Sequence, residues 1–221
     1  GDSKRIQKFA VLYGPPGSGK STILNILERL FQGYTTTFDA GALGSKSDQF
    51  ATSSLGKSSL VAIDQDGDLS RIETNGLLNS VVAHETILIN EKGVKRYPKR
   101  INALLFIGTN KPVKITDSKS GIIRRLIDIS PTGQTVGADE YQTLMTQIRD
   151  ELGKIANHCL GVYRSLGKHY YDAYKPQDMM MKTNVMYNFV EENYLLFKTE
   201  EYITLTMAYK LYKEYCSESN I

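Results

Sequence analysis

A lysine followed by a serine, closing a run rich in glycine, is a set of groups suited to holding phosphate. The run is Gly14-Pro15-Pro16-Gly17-Ser18-Gly19-Lys20-Ser21, with Thr22 next. Its glycines let the backbone curl so that successive N–H groups point inward at an anion. Lys20 is placed to reach the β- and γ-phosphates of a nucleotide, and the Ser21 hydroxyl to ligate Mg²⁺. A merely structural glycine turn gives no reason for the Lys-Ser pair. The chemistry expected of Gly14 to Thr22 is binding of ATP with Mg²⁺.

Other residues could complete that chemistry. Asp64 ends the apolar run LVAI and is expected to share the metal with Ser21; its alternative is a common strand-terminal turn residue. Many hydrolytic relatives of such loops carry a Glu directly after this Asp, to orient the attacking water. Here the position is Gln65, which leaves the base open between Asp66, the first candidate, and Glu85, the second. Asn110 ends the run ALLFIGTN, where a polar residue at a strand's carboxyl end can hold the attacking water or sense the γ-phosphate. Arg124 and Arg125 are either a solvated basic pair or the source of an arginine finger. Lys92, Lys95 and Arg96 crowd around Gly93, with Lys99, Arg100 and Tyr97 close by. They suit the phosphates and bases of a single strand, or simply a charged, soluble edge hairpin.

These residues must be carried by regular elements. Phe9–Tyr13 (FAVLY) predicts a buried parallel strand, and Ser21–Phe31 a helix with Ile23, Ile26, Leu27 and Leu30 on one face. Strand, glycine-rich loop, helix is the context that the phosphate-loop motif requires. Further strands are predicted at Leu60–Ile63, Ala103–Ile107 and Leu126–Ile129. A helix is predicted over Arg71–Val82 and a short one near Asp48–Leu55. Thr86–Asn90 and Val94–Tyr97 flank Glu91-Lys92-Gly93 as a hairpin. From Asp139 the pattern turns helical: Asp139–Leu166, bent around Gly153 and Gly161, then Gln177–Phe197 and Leu205–Cys216. The expected organisation is an α/β phosphate-loop unit with a mainly parallel sheet over residues 1–134, followed by a helical segment over 135–221.

Composition narrows the classes. Of the 221 residues 41% are hydrophobic, enough for a real core, and the net charge of +3 argues for no partner without a local patch. Cys159 and Cys216 lack metal-ligand spacing and read as free thiols of a reducing compartment. No apolar run reaches the ~18 residues of a membrane span, and the N-terminus has no signal-peptide pattern. The chain starts almost directly on a predicted strand, as a piece of a longer protein would.

The stretches GPPGSGKS, LVAIDQDGD, INEKGVKRY, LLFIGTNKP and GIIRRLIDI follow one another in that order. This order resembles the superfamily 3 helicases of viruses, phages and plasmids, most closely the helicase part of phage and poxvirus-type primase-helicases. The ending, MMMKTNVMYNFVEENY followed by YKLYKEYC, is similar to the segment that leads to their winged-helix tail. The resemblance implies an AAA+-like phosphate-loop ATPase core and a ring-shaped DNA helicase of phage or plasmid-type replication. It would be a hexamer working on single-stranded DNA in the cytoplasm, the host's if viral. Lys20 and Ser21 then match the phosphate-loop pair, Asp64 the acidic motif, and Asn110 the sensor. Arg125 is the best match to the finger, with Arg124 close behind. Lys92 matches the hairpin lysine that grips DNA, followed by Lys95 and Arg96. A primase or polymerase module upstream and a complete winged helix downstream would accompany this segment, which is expected to hexamerise poorly alone.

Two other readings use the same loop. A small-molecule or nucleotide kinase would need a lid with arginines spread along it, whereas here the basic residues cluster on a hairpin. A nucleotide switch or loader that hydrolyses slowly is left open by Gln65, which stands where a Glu would be expected. DNA-stimulated ATPase activity separates the kinase from a motor.

Overall fold

The computed structural model describes residues 2–70, 72–113, 121–199 and 202–218. The chain forms two compact units, Gly1–Pro176 and Gln177–Ile221. Arg71, the predicted start of one helix, and the polar loop before Gly121 lie outside the described residues.

In the first unit a short helix α1 (Ser3–Ile6) precedes β1 (Phe9–Tyr13), α2 (Lys20–Leu30), β2 (Thr35–Thr37), α3 (Ala40–Leu43) and β3 (Val61–Asp64). Then come α4 (Gly76–Val82), β4 (Thr86–Ile89), β5 (Tyr97–Arg100), β6 (Leu104–Thr109), β7 (Leu126–Ile129), α5 (Ala138–Asp150) and α6 (Leu152–Leu166). Five strands make one sheet in the order β2-β3-β6-β1-β7, every neighbouring pair parallel. Parallel pairing demands crossovers that cover the faces, which is why β1, β3 and β6 are continuous apolar runs. On one face Leu12, Leu24, Val61 and Ile63 form a buried cluster, with Leu27, Phe31, Phe106 and Ile129 against it. Leu24 is fully buried, so Leu24 and Leu27 tie α2 to the strands.

The strand order fixes where a ligand can sit. The chain leaves β1 toward β2 on one side of the sheet, and leaves β6 toward β7 on the other. Beyond the carboxyl ends of strands whose connections diverge in this way there is a crevice. Tyr13 is level with Thr109, and Gly14 N donates to Thr109 O at 3.3 Å, so β1 and β6 end together. Asp64 is level with Ile107, two residues short of that rim.

β4 and β5 form a separate antiparallel ribbon, Thr86 opposite Arg100 and Ile89 opposite Tyr97. The hairpin is therefore present, but its second strand starts at Tyr97 rather than Val94. Val94 to Arg96 stay exposed in the connecting loop. Tyr97 Oη donates to Glu91 Oε1 at 2.7 Å, closing the loop at its base. Other elements also differ from the sequence pattern. β2 and α3 are additional, the helix ending at Val82 begins at Gly76, and the region near Asp48–Leu55 holds a 3₁₀ turn at Ser53–Gly56. The long helix breaks at Glu151, while Gly153 and Gly161 lie within α6.

The second unit holds α7 (Gln177–Lys182), α8 (Val185–Glu192), α9 (Tyr194–Thr199) and α10 (Leu205–Glu218). The Phe189 ring meets Phe197, Tyr212 and Tyr215 at centroid distances of 5.7, 5.3 and 5.8 Å. Three short helices replace the single predicted one over Gln177–Phe197, because local side chains compete for its backbone. Thr183 Oγ1 donates to Met179 O at 2.9 Å, and Asn184 Oδ1 accepts from Met186 N at 2.9 Å, ending α7 and capping α8.

Among the described residues no helix is long and apolar enough to cross a membrane.

Candidate functional site

The run from Gly14 to Ser21 turns the chain from β1 into α2. Gly17 and Gly19 adopt φ of 79° and 93°, a region that side-chain-bearing residues rarely enter. A Cβ on Gly14 would lie 2.9 Å from Ser18 Oγ, so glycine there leaves room for the hydroxyl that accepts from Lys20. Lys20 is 7% exposed. Its ammonium donates to Gly14 O at 2.7 Å, to Pro15 O at 2.8 Å and to Ser18 Oγ at 3.3 Å. A buried cation is tolerated where acceptors satisfy it; here they hold Nζ inside the curl of the loop.

Pro16 to Thr22 form one wall of a cleft of about 510 Å³, and Gln65, Asp66 and Asn110 line it with them. Two glycines in contact bring the second wall into place. Gly67 N donates to Gly108 O at 2.8 Å, and a Cβ on Gly108 would meet Gln65 O at 2.7 Å. The loop after β3 can therefore lie against the end of β6. Asn110 is presented by a turn in which the buried Thr109 Oγ1 donates to Lys111 O and accepts from Lys111 N, at 3.0 and 3.1 Å. Lys111 Nζ then reaches back to Asp68 Oδ2 at 2.6 Å. That bond, with help from Ser70, holds the Asp68 carboxyl down at about 2. Its stability is present above the ordinary carboxylate range and lost as pH falls toward about 2, and is small because both partners are exposed. Gly108→Ala is expected to force this loop away from β6 at a cost of about 1–3 kcal/mol. A urea or thermal melt would show the loss.

The expected site residues are not all brought together. Asp64 does not line the cleft. Its Oδ2 accepts from Ala40 N at 2.8 Å and its Oδ1 from Asp66 N at 3.2 Å. Burial raises its pKa, the two N–H groups partly oppose this, and Asp39 and Asp66 add to the rise. The carboxylate on the cleft wall is Asp66, the first of the two candidate bases; Glu85, the second, is exposed just before β4.

Arg124 and Arg125 lie in a 3₁₀ turn, Ile123–Arg125, before β7. Arg125 is 8% exposed and donates from Nη1 to Gly121 O at 3.1 Å. Its Nε and the Oδ1 of Asn79 are buried without a partner among the described residues. Burial lowers its pKa, as does Arg124, against a smaller opposing effect of Glu85. Arg124 is exposed, and its carbonyl accepts from the buried Lys8 ammonium. The side chain at the surface is thus Arg124, although Arg125 is the closer match in sequence.

Lys92, Lys95 and Arg96 are all exposed at the hairpin tip, where Gly93 takes a φ of 78°. The ribbon is pinned beside the segment 49–58. Asn90 N donates to Thr52 Oγ1 at 3.0 Å, and Lys99 Nζ to Gly56 O at 2.5 Å. Gly56 is a contact point, since a Cβ there would lie 2.2 Å from Glu91 Oε1.

One neighbour of the cleft was not visible in the sequence. Tyr141 of α5 places its hydroxyl 3.4 Å from Thr22 Oγ1. Nothing in the spacing of residues 22 and 141 could announce that contact; it depends on how α5 lies beside α2.

Apo structures of the C-terminal region of NrS-1 share this fold. One is 20% identical over 67% of this chain and 36% of its own, with a TM-score of 0.51. A second is 14% identical over 96% and 54%, also at 0.51. A JCV helicase bound to a small molecule is more distant, 13% identical over 97% and 52%, with a TM-score of 0.37. The chain thus spans about half or less of the length of these structures. No curated protein matches it. Residues 12–125, from the end of β1 to the Arg124–Arg125 pair and just over half of the sequence, match one family model, and on that match the chain belongs to the family of unknown function DUF5906.

Proposed function

We propose that the chain is the ATPase core of a ring-forming DNA helicase of the superfamily 3 kind, from phage or plasmid-type replication. The observation that carries this is the cleft itself. A glycine loop with a buried lysine faces Asp66 and Asn110 across the ends of β1 and β6. A basic ribbon stands apart from that sheet. One part can bind and cleave a triphosphate while another holds a strand. The fold shared with the NrS-1 C-terminal region and the order of the sequence motifs support the same reading.

The residues fit ATP and Mg²⁺. The curl of Gly14 to Gly19 exposes backbone N–H groups at the start of α2, whose dipole favours an anion. Among the described residues no cluster of three metal-ligating side chains occurs. That suits Mg²⁺, which commonly takes one or two protein carboxylates and completes its shell with phosphate oxygens and water. Ser21 would hold it from the loop, while Asp64, expected from the sequence as its partner, stands behind the facing wall and accepts from Asp66 N; when bound the ion neutralises charge on the phosphates. Lys20 would leave the loop carbonyls for the phosphate oxygens. Asn110 would position the attacking water, and Asp66 would accept its proton. Arg124 would enter the cleft of a neighbouring subunit, so that each site is shared.

The hairpin decides between a motor and a kinase or switch. If Lys92, Lys95 and Arg96 grip a strand, their contacts are to phosphate and carry no sequence preference. Lys92→Ala is then expected to weaken single-stranded DNA binding equally for all sequences. The slope of log affinity against log salt should fall by about 0.7 per lysine removed. Basal ATPase activity should remain while its stimulation by DNA disappears. Unchanged affinity, slope and stimulation in Lys92→Ala and in the Lys95→Ala/Arg96→Ala pair would make the ribbon an ordinary solvated edge.

A further inference from the structure

We infer that Tyr141 is the nucleoside platform of the cleft, its ring carrying the ribose and base of the bound triphosphate; this rests on the loop being a triphosphate site. The cleft has two distinguishable ends. Gln65, Asp66 and Asn110, from the ends of β3 and β6, mark the end where the terminal phosphate is attacked. The nucleoside is attached to the opposite end of the triphosphate chain. Along the loop wall that direction runs through Ser21 to Thr22, the last lining residue. Thr22 is where Tyr141 stands, hydroxyl to hydroxyl at 3.4 Å.

That contact is at the long limit for two hydroxyls, so little is lost when a ligand parts them. The position of the ring is nonetheless well supported. α5 has 13 residues, and its last turn is beside α2: Asn25, Glu28 and Arg29 of α2, with Gln32 just beyond it, share a groove with Arg149 of α5 and Leu152 of α6. The side chain is half-buried, with an amphipathic helix behind it. The chain also returns past the loop on its way from β7 to α5. A Cβ on Gly14 would lie 3.9 Å from Pro131 Cδ. The segment from Pro131 to Tyr141 thus leaves the end of β7 beside the phosphate loop and meets α2 at Thr22, on the β7 side of β1 and away from β3 and β6. A phenol ring there offers an apolar face to a base and a hydroxyl to a ribose.

The test separates the nucleoside from the phosphates. ATP and inorganic tripolyphosphate are titrated calorimetrically against the full chain and its variants. Tyr141→Ala is expected to weaken ATP by about tenfold or more, the usual loss of one base–aromatic stack, and to leave tripolyphosphate unchanged. Tyr141→Phe should keep most of the ATP affinity. Tyr141→Leu, which retains apolar contact against α2, should behave like the Ala variant and serves if that one fails to fold. Lys20→Ala is the reference and should weaken both ligands. The chain has no tryptophan, so Tyr141→Trp adds a single reporter whose emission ATP should quench and tripolyphosphate should not. An unchanged ratio of ATP to tripolyphosphate affinity in Tyr141→Ala or Tyr141→Leu, with Lys20→Ala weakening both, would reduce Tyr141 to a packing contact and leave the loop reading standing. If Lys20→Ala weakened neither ligand, the loop reading itself would fall, and the platform with it.

Discussion

Arg124→Ala is expected to leave ATP affinity close to wild type and to lower hydrolysis by about 10³-fold or more, the loss typical of an arginine finger. The residue is exposed and sits in the turn that leads into β7. In a ring it would act only in a neighbour's cleft. Mixing Arg124→Ala with Lys20→Ala should therefore restore activity at the interfaces that pair an intact loop with an intact finger, about one in four for random head-to-tail assembly at equal amounts. Arg125→Ala should behave differently. Its guanidinium is buried and bonded to Gly121 O, so its removal opens a hole and should lower the melting temperature. Wild-type hydrolysis by Arg124→Ala, in a preparation shown to be oligomeric, would remove Arg124 from the mechanism.

Lys20→Ala is expected to abolish measurable turnover, a loss of at least the 10²–10³ that about one preorganised charge-stabilising donor contributes. It should also erase a stability response. Wild-type protein at a nucleotide concentration about 100 times its Kd should gain about 2.7 kcal/mol, seen as a raised melting temperature. The variant should show no such gain, because the donor that the loop holds at Gly14 O and Pro15 O is gone. A full thermal shift with ATP in Lys20→Ala would mean that the nucleotide binds elsewhere.

Elements that bury continuous apolar runs were legible in the sequence. FAVLY, LVAI, ALLFI and LIDI all lie in the central sheet, with boundaries within two residues of those expected. β2 was not legible. Its residues are three threonines, Thr35–Thr37, which carry no apolar signal and form a strand only because Val61–Ile63 offers a ladder. α3 is four residues long and depends on two acceptors, Asp39 for Ala42 N and Asp64 for Ala40 N. The second of these is 24 residues away, beyond any local pattern. In the cleft, the glycine loop and Asn110 were legible because each ends a readable strand. The exchange of Asp64 for Asp66 on the wall was not, since it follows from the Gly67–Gly108 contact. The burial of Arg125 rather than Arg124 was equally hidden, because adjacent residues in a turn differ only in which one faces the core.

The ribbon of β4 and β5 shares no ladder with the five-stranded sheet. It can tilt without breaking a hydrogen bond between the strands that hold the cleft. From Thr86 at its foot to Gly93 at its tip the chain reaches at most about 23 Å at ~3.3 Å per residue. A swing of about 10° at the foot would carry the tip about 4 Å, close to the ~3.4 Å axial rise per nucleotide of a base-stacked strand. In the proposed motor, step length would then be a matter of leverage: a shift of about an ångström or less near the foot would be geared up to one nucleotide at the lysines.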